Sequence, residues 1–186
     1  MALIGYKEGR AEDYQCAGSL VAEQWILSAA HCSSSSEGPA KFAKIGNVVR
    51  YQETANSWTF KITQRVPHPN YSSLRAEDDI ALFKLETTAT LNKYVVPICL
   101  PQTEAQTTQK VIATGWGRTG FAENVSASLM KVTLEYFSRG VCDYQYEDDD
   151  KLDGKGINWS KMVCAGSNNK TGDTCNVSDV QYMEVN

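Results

Sequence analysis

The segment CAGSLVAEQWILSAAHC, residues 16–32, joins an apolar run to two cysteines and a histidine. Within it, the apolar stretch WILSAA (25–30) predicts the end of a fully buried strand. His31 follows directly and adjoins Cys32, where a disulfide would fix the local backbone. A buried histidine held in one orientation suits a general base, because its ring must face the proton that it takes up. By itself, the pattern is still more typical of a structural histidine.

Alternation of apolar and polar residues predicts short strands along the rest of the chain. In MKVTLEY (130–136), Met130, Val132, Leu134 and Tyr136 fall on one face of a half-buried strand. Four further runs read similarly: TFKITQRV (59–66), IALFKL (80–85), KVIATG (110–115) and MVCAG (162–166). Turn-rich stretches separate these runs, and no helical pattern of three turns occurs. Such a series predicts an all-β sandwich or barrel.

Size and charge restrict the function classes. A chain of 186 residues predicts one domain with a sizeable core. The net charge is −4 and the sequence has no basic run, which disfavours a nucleic-acid or anionic-membrane partner. No stretch approaches the roughly 20 apolar residues of a membrane helix.

The cysteines and glycosylation sequons favour a secreted glycoprotein. None of the six cysteines forms a C-x-x-C pair, so the sequence does not support a zinc site, and their even number suggests disulfides whose pairing the spacing leaves open. N-x-S/T triplets occur at Asn70, Asn124, Asn158, Asn169 and Asn176. Both features are typical of extracellular chains. The first residues, MALIGYKEGR, do not have the pattern of a signal peptide.

Two consecutive acids precede a strongly apolar strand in DDIALFKL (78–85). Since successive side chains of a strand face opposite ways, we expect one of Asp78 and Asp79 to face solvent and the other to point inward. An inward carboxylate needs a partner, and a histidine would serve. The alternative interpretation is that Asp78 and Asp79 only cap the strand and have no functional partner. The other histidine, His68, lies between two prolines in PHPN, which predicts a turn or edge without a functional role.

Six motifs in a fixed order carry a family resemblance: CAGSLVAEQWILSAAHC, DDIALFKL, PICLP, ATGWGR, MVCAG and GDTC. Together they resemble the chymotrypsin/trypsin-like serine proteases over about residues 1–175. The resemblance implies an all-β fold of two antiparallel Greek-key barrels, the second incomplete. It places the first barrel at about 1–95, the second at about 96–175 and a divergent tail at 176–186.

The resemblance also implies roles for single residues. His31 matches the general base, Asp79 the orienting acid, and Asp173 the acid at the base of the primary specificity pocket, which predicts cleavage after Arg or Lys in the parent enzyme. The implied disulfides are Cys16–Cys32 and Cys142–Cys164. No cofactor or metal is implied, and the expected partner is a protein substrate or a member of a protease cascade.

PICLP resembles most closely clip-domain or multi-domain secreted proteases, in which its cysteine tethers the catalytic domain to a preceding segment. By the resemblance, Cys99 is the attachment point for a possible upstream segment, and it has lost that partner here. Cys175 would lack a downstream partner, and both would stay free or pair between chains.

The tail departs from the family pattern. The family places its nucleophile four residues after the cysteine that matches Cys175, within G-D-S-G-G-P, but that position is Asp179. Ser178 is one residue short, and no glycines follow to form an oxyanion hole. The family's I-V-G-G start is also missing, so the chain resembles a protease truncated at both ends. We therefore expect an inactive member of the family. The alternatives are a non-catalytic homologue that binds or regulates a partner, and a gene-model or splice fragment.

Overall fold

Strands form most of the regular structure. The computed structural model describes residues 1–7, 14–102, 110–118, 124–147, 149–152 and 156–167, and the backbone of 181–184. Within these ranges the strands are β1 (Ala2–Gly5), β2 (Tyr14–Ala22), β3 (Trp25–Ser28), β4 (Ser34–Ser35), β5 (Gly38–Pro39), β6 (Phe42–Ile45), β7 (Trp58–Pro67), β8 (Ala81–Leu85), β9 (Lys110–Gly115), β10 (Met130–Tyr136), β11 (Ala165–Gly166) and β12 (Gln181–Glu184). The described helices are α1 (Arg139–Gln145) and the 3₁₀ helices Ala30–Ser33 and Asp150–Leu152. None of them is long and apolar enough to cross a membrane.

Six antiparallel strands close into a barrel in the order β1-β2-β3-β8-β7-β6. Alternation sends every second side chain inward, so Ala81, Phe83 and Leu85 of β8 are buried while Leu82 between them is exposed. They pack with residues of the other strands such as Ile4. As far as the structure describes them, each of these six strands is paired on both sides, so the closed barrel has no free edge. The barrel confirms the all-β prediction.

The second half of the chain forms an open four-stranded sheet in the order β11-β10-β9-β12. Its small core consists of Val111, Ala113 and Leu134, from β9 and β10. The outer strand β12 comes from within the tail that the motif order sets apart, and its backbone pairs with β9. Among the described residues this half is therefore an open sheet and the first half a closed barrel.

The predicted strands differ in how well they match. KVIATG and MKVTLEY coincide with β9 and β10, and Leu134 is buried on the predicted inner face, although Met130 is 49% exposed at the strand's start. Only Ala165–Gly166 of MVCAG is a strand. The prediction for WILSAA is wrong: β3 ends at Ser28 and alternates between buried and half-buried residues. The reason is that β3 is part of a barrel wall, with only one face against the core.

Two disulfides connect neighbouring elements. Cys16–Cys32 joins β2 to the 3₁₀ helix Ala30–Ser33 at a Cα–Cα distance of 6.0 Å. Cys142–Cys164 joins α1 to the residue before β11 at 6.5 Å. These are the pairings that the resemblance implies. Cys99 is exposed and in no disulfide, and Cys175 lies outside the described residues.

We expect Gly18→Ala to destabilise the barrel. A Cβ at Gly18 in β2 would lie 2.5 Å from Ile26 Cγ2 and 2.8 Å from the carbonyl oxygen of Leu27. The carbonyl belongs to the paired strand and cannot rotate away, so the free energy of unfolding should fall by about 1–3 kcal/mol in urea denaturation. Gly140→Ala is the control, because a Cβ there meets nothing within 4 Å. An equal loss in both variants would contradict the packing argument.

Candidate active site

Strand register brings His31 and Asp79 together. β3 and β8 are antiparallel, and Ser28 lies opposite Ala81. The chain leaves β3 at the same end of the barrel at which it enters β8. The residues just after Ser28 and just before Ala81 are therefore neighbours, although His31 and Asp79 are 48 positions apart in sequence.

Two contacts of the neighbouring residue Cys32 fix the backbone around His31. His31 is the second residue of the 3₁₀ helix Ala30–Ser33, and the next residue, Cys32, is fully buried and bonded to Cys16. The hydroxyl of buried Tyr6 donates to the carbonyl of Cys32 at 2.8 Å. A covalent bond and a buried hydrogen bond therefore fix the turn that presents the imidazole ring.

Asp79 holds His31 at two points. Its Oδ2 lies 2.7 Å from His31 Nδ1, and its Oδ1 accepts the backbone N–H of His31 at 2.8 Å. The side chains are 39% exposed for His31 and 29% exposed for Asp79. The expectation of a buried His31 is wrong, because its neighbours Ala30 and Cys32 in the 3₁₀ helix face the barrel core while His31 faces outward. The carboxylate orients the ring instead.

The environment favours the ionised form of Asp79. Partial burial alone would raise its pKa, but hydrogen bonds from the ring and backbone of His31, together with the N–H of Ala30, lower the pKa below its usual value. Nearby Tyr71 has a raised pKa, first through desolvation and then through the charge of Asp79. A carboxylate accepting from Nδ1 selects the neutral tautomer in which Nε2 carries the lone pair. The pair therefore has the form of an oriented general base.

Asp78 does not behave as the strand argument predicts. Both acids precede β8, and Asp78 has a positive φ of 58°. Its Oδ2 lies 2.7 Å from Lys161 Nζ, and its Oδ1 lies 3.6 Å from Nδ1 of His68 in the turn after β7. Its side chain is only 12% exposed, less than that of Asp79. The expectation of one solvent-facing and one inward acid is therefore wrong, since each acid has its own partner.

Four of the predicted residues, Asp173, Cys175, Ser178 and Asp179, lie outside the described residues.

A group of possible metal ligands combines His31 with Cys16 and Cys32, whose ligand atoms lie within 4.8 Å of one another. Both sulfurs are in the disulfide, so they supply no thiolate, and a metal does not fit there.

Sequence reasoning missed two residues near the pair, Tyr71 and Lys161. Tyr71 packs against the barrel core and lies close enough to Asp79 to sense its charge. Lys161 is a single lysine in NWSKMVC, and nothing in its local pattern marks it. Its contact with Asp78 spans 83 positions, so only the folded structure shows it.

The chain is similar to known serine proteases over most of its length. The trypsin family model matches residues 1–177. The chain is 33% identical to serine protease snk of Drosophila melanogaster over 180 residues, covering 94% of this chain and 41% of that protein. It is 35% identical to trypsin-2 of Salmo salar over 161 residues, covering 86% of this chain and 64% of that protein. The chain thus spans less than two thirds of each of these two relatives.

A solved structure shows the same similarity in three dimensions. Neuropsin, a serine protease expressed in the limbic system of mouse brain, superimposes with a TM-score of 0.81 at 26% identity. The superposition covers 98% of this chain and 76% of that one.

We expect Asp79→Asn to reduce stability at neutral pH but not in acid. The folded-state pKa of Asp79 is lowered, so its ionised form stabilises the fold above the unfolded value of about 3.9. That contribution disappears as the pH falls through the lower folded value. Both side chains are partly exposed, so the loss near pH 7 should be at most about 1 kcal/mol.

Urea denaturation of wild type and Asp79→Asn, at about pH 7 and about pH 2, measures this difference. Glu23→Gln, in the exposed turn between β2 and β3, is the matched control. A destabilisation that stayed the same at both pH values would show that the charge of Asp79 is not its cause.

Proposed function

The chain belongs to the trypsin family of serine proteases, and from this premise we propose that it descends from a secreted endopeptidase but does not itself hydrolyse peptide bonds. Peptide-bond hydrolysis by a serine protease has two requirements. One is an oriented base, and the other is a nucleophile beside an oxyanion hole.

The first requirement is supported by the contact between His31 and Asp79. Asp79 accepts from both the ring and the backbone of His31, at 2.7 and 2.8 Å. In a serine protease, such a carboxylate fixes the tautomer of the base and stabilises its protonated form during the reaction. We therefore assign His31 as the general base and Asp79 as the orienting acid of the ancestral site.

The sequence after Cys175 is the observation that carries the proposed inactivity. It reads NVSDVQYMEVN, so the position of the family nucleophile is Asp179, and G-D-S-G-G-P does not occur. A carboxylate there is a far weaker nucleophile toward an amide than an activated serine. Without glycines, the tight backbone conformation of an oxyanion hole is also disfavoured. Loss of one triad member leaves only residual catalysis, and this remaining activity depends on the oxyanion hole and on substrate binding.

The ancestral substrate class follows from Asp173. A carboxylate at the floor of the specificity pocket would neutralise a cationic side chain, which suggests cleavage after Arg or Lys. A protein substrate or a member of a protease cascade is the corresponding partner. Two disulfides in the described residues support an extracellular location.

A second candidate function is a binding or regulatory module without catalysis. The closed first barrel favours it, because this half of the fold is complete without the altered tail. Exposed Cys99, between exposed Val96 and Leu100, is a suitable attachment point for an upstream segment. We retain the proposed bounds of about 1–95 for the first barrel and about 96–175 for the second.

A fluorophosphonate probe tests inactivity directly, because it labels only activated serines. We expect the purified chain to take up no label and to leave a fluorogenic peptide with an Arg–amide bond intact. An active trypsin in the same assay is the positive control. Stoichiometric labelling that disappears in Ser178→Ala would contradict the proposal, since it would mean that Ser178 is activated.

Native alkylation tests the cysteine assignments. We expect Cys99, which is exposed, to react with iodoacetamide without reduction, whereas the four cysteines of the two disulfides react only after it. Peptide mapping identifies the modified residues. A bridge between Cys99 and Cys175 would overturn the expected roles of both.

A further inference from the structure

A cluster of charges connects the acids beside β8 to a distant turn. We call residues 77–79 the acid loop and residues 158–161 the lysine turn. Lys161 Nζ lies 2.7 Å from Asp78 Oδ2 and 3.4 Å from Glu77 Oε2. In the same cluster, Asn158 Nδ2 donates to Glu77 Oε2 at 3.2 Å. The acid loop is thus held by a side-chain amide and an ammonium group from the other half of the chain.

The acid loop has an unfavourable backbone conformation that requires stabilising contacts. Asp78 adopts a φ of 58°, the left-handed region that disfavours residues with a side chain, although aspartate tolerates it better than most. This conformation sends the carboxylates of Asp78 and Asp79 to different partners. Without a partner for Asp78, the loop would gain by relaxing to a negative φ. Relaxation would rotate the backbone from which Asp79 reaches His31.

The lysine turn is itself well anchored. The N–H groups of Lys161 and Met162 both donate to the carbonyl of Asn158 at 2.9 Å. Cys164, three residues after Lys161, is bonded to Cys142 in α1. The hydrogen bond to Asp78 is the first cause that raises the pKa of Lys161, so its ammonium form is favoured. A charged donor on a fixed turn can therefore restrain the acid loop.

We infer that Lys161 is a positioning residue for the His31–Asp79 pair, acting through Asp78. The inferred role of Lys161 requires no direct contact with His31. It holds Asp78 in the left-handed conformation, and this conformation places Asp79 where both of its oxygens meet His31. The inference concerns the geometry of the pair, so it stands or falls independently of whether the chain cleaves peptide bonds.

Amide hydrogen exchange measured by NMR tests the inference. The N–H of His31 donates to Asp79 Oδ1, so its exchange rate reports local opening of the pair. In Lys161→Met this rate should rise about two- to fivefold, the range expected for a partly exposed ion pair. The amide of Phe83, in the core strand β8, should keep its rate.

Two further variants separate positioning from general effects. Lys161→Arg keeps a charged donor and should restore slow exchange at His31. Lys131→Met removes an exposed lysine from β10 and should change neither amide. Unchanged exchange at His31 in Lys161→Met, or acceleration as large in Lys131→Met, would overturn the inference.

Asp78→Asn provides a second route should Lys161→Met fail to fold. Asparagine suits the left-handed conformation, so this variant weakens the ion pair without adding backbone strain. It also leaves the charge of Lys161 in place. Faster exchange at His31 with unchanged exchange at Phe83 supports the inference, and wild-type exchange at both positions refutes it. Fluorophosphonate labelling is not involved, so its result bears only on the proposed function.

Discussion

The antiparallel register between β3 and β8 is the constraint on which the candidate site depends. It sets Ser28 opposite Ala81, so the turn after one strand lies beside the loop before the other. A shift of one residue would reverse which side chains of β8 face the core, and burial of Phe83 and Leu85 opposes such a shift. The packing of the barrel interior thereby fixes the distance between a histidine and an aspartate that lie outside it.

The base, the acid and the contacts that anchor the turn of the base all come from the first barrel. The closed barrel, the Cys16–Cys32 disulfide and the hydrogen bond from Tyr6 are all formed by residues before position 86. The parts of the family's chemistry that this sequence alters lie after Cys175. This division explains how an oriented histidine can persist in a chain whose nucleophile motif has changed, because the contact between His31 and Asp79 is made without that motif.

The sequence predicted what depends on local pattern or on family motifs. Alternation located β9 and β10, and the motif order implied the disulfides and the contact between His31 and Asp79. The sequence did not predict the exposure of His31, because an apolar run before a residue does not show which side chains of the following turn face the core. It also assigned opposite faces to Asp78 and Asp79 by strand geometry, whereas a positive φ at Asp78 governs their directions. The contact with Lys161 lies too far along the chain for any local signal.

The two adjacent aspartates are subject to different structural requirements. At position 78 the side chain must tolerate a left-handed backbone and also accept from an ammonium group. Glycine meets only the first demand and glutamate only the second, while asparagine tolerates the backbone but weakens the ion pair because it is uncharged. At position 79 the demand is instead for two acceptor oxygens at a fixed reach. Among natural variants we would therefore expect aspartate at position 78 wherever a cation lies opposite it and asparagine or glycine where none does, while position 79 varies only when an oriented histidine is no longer required.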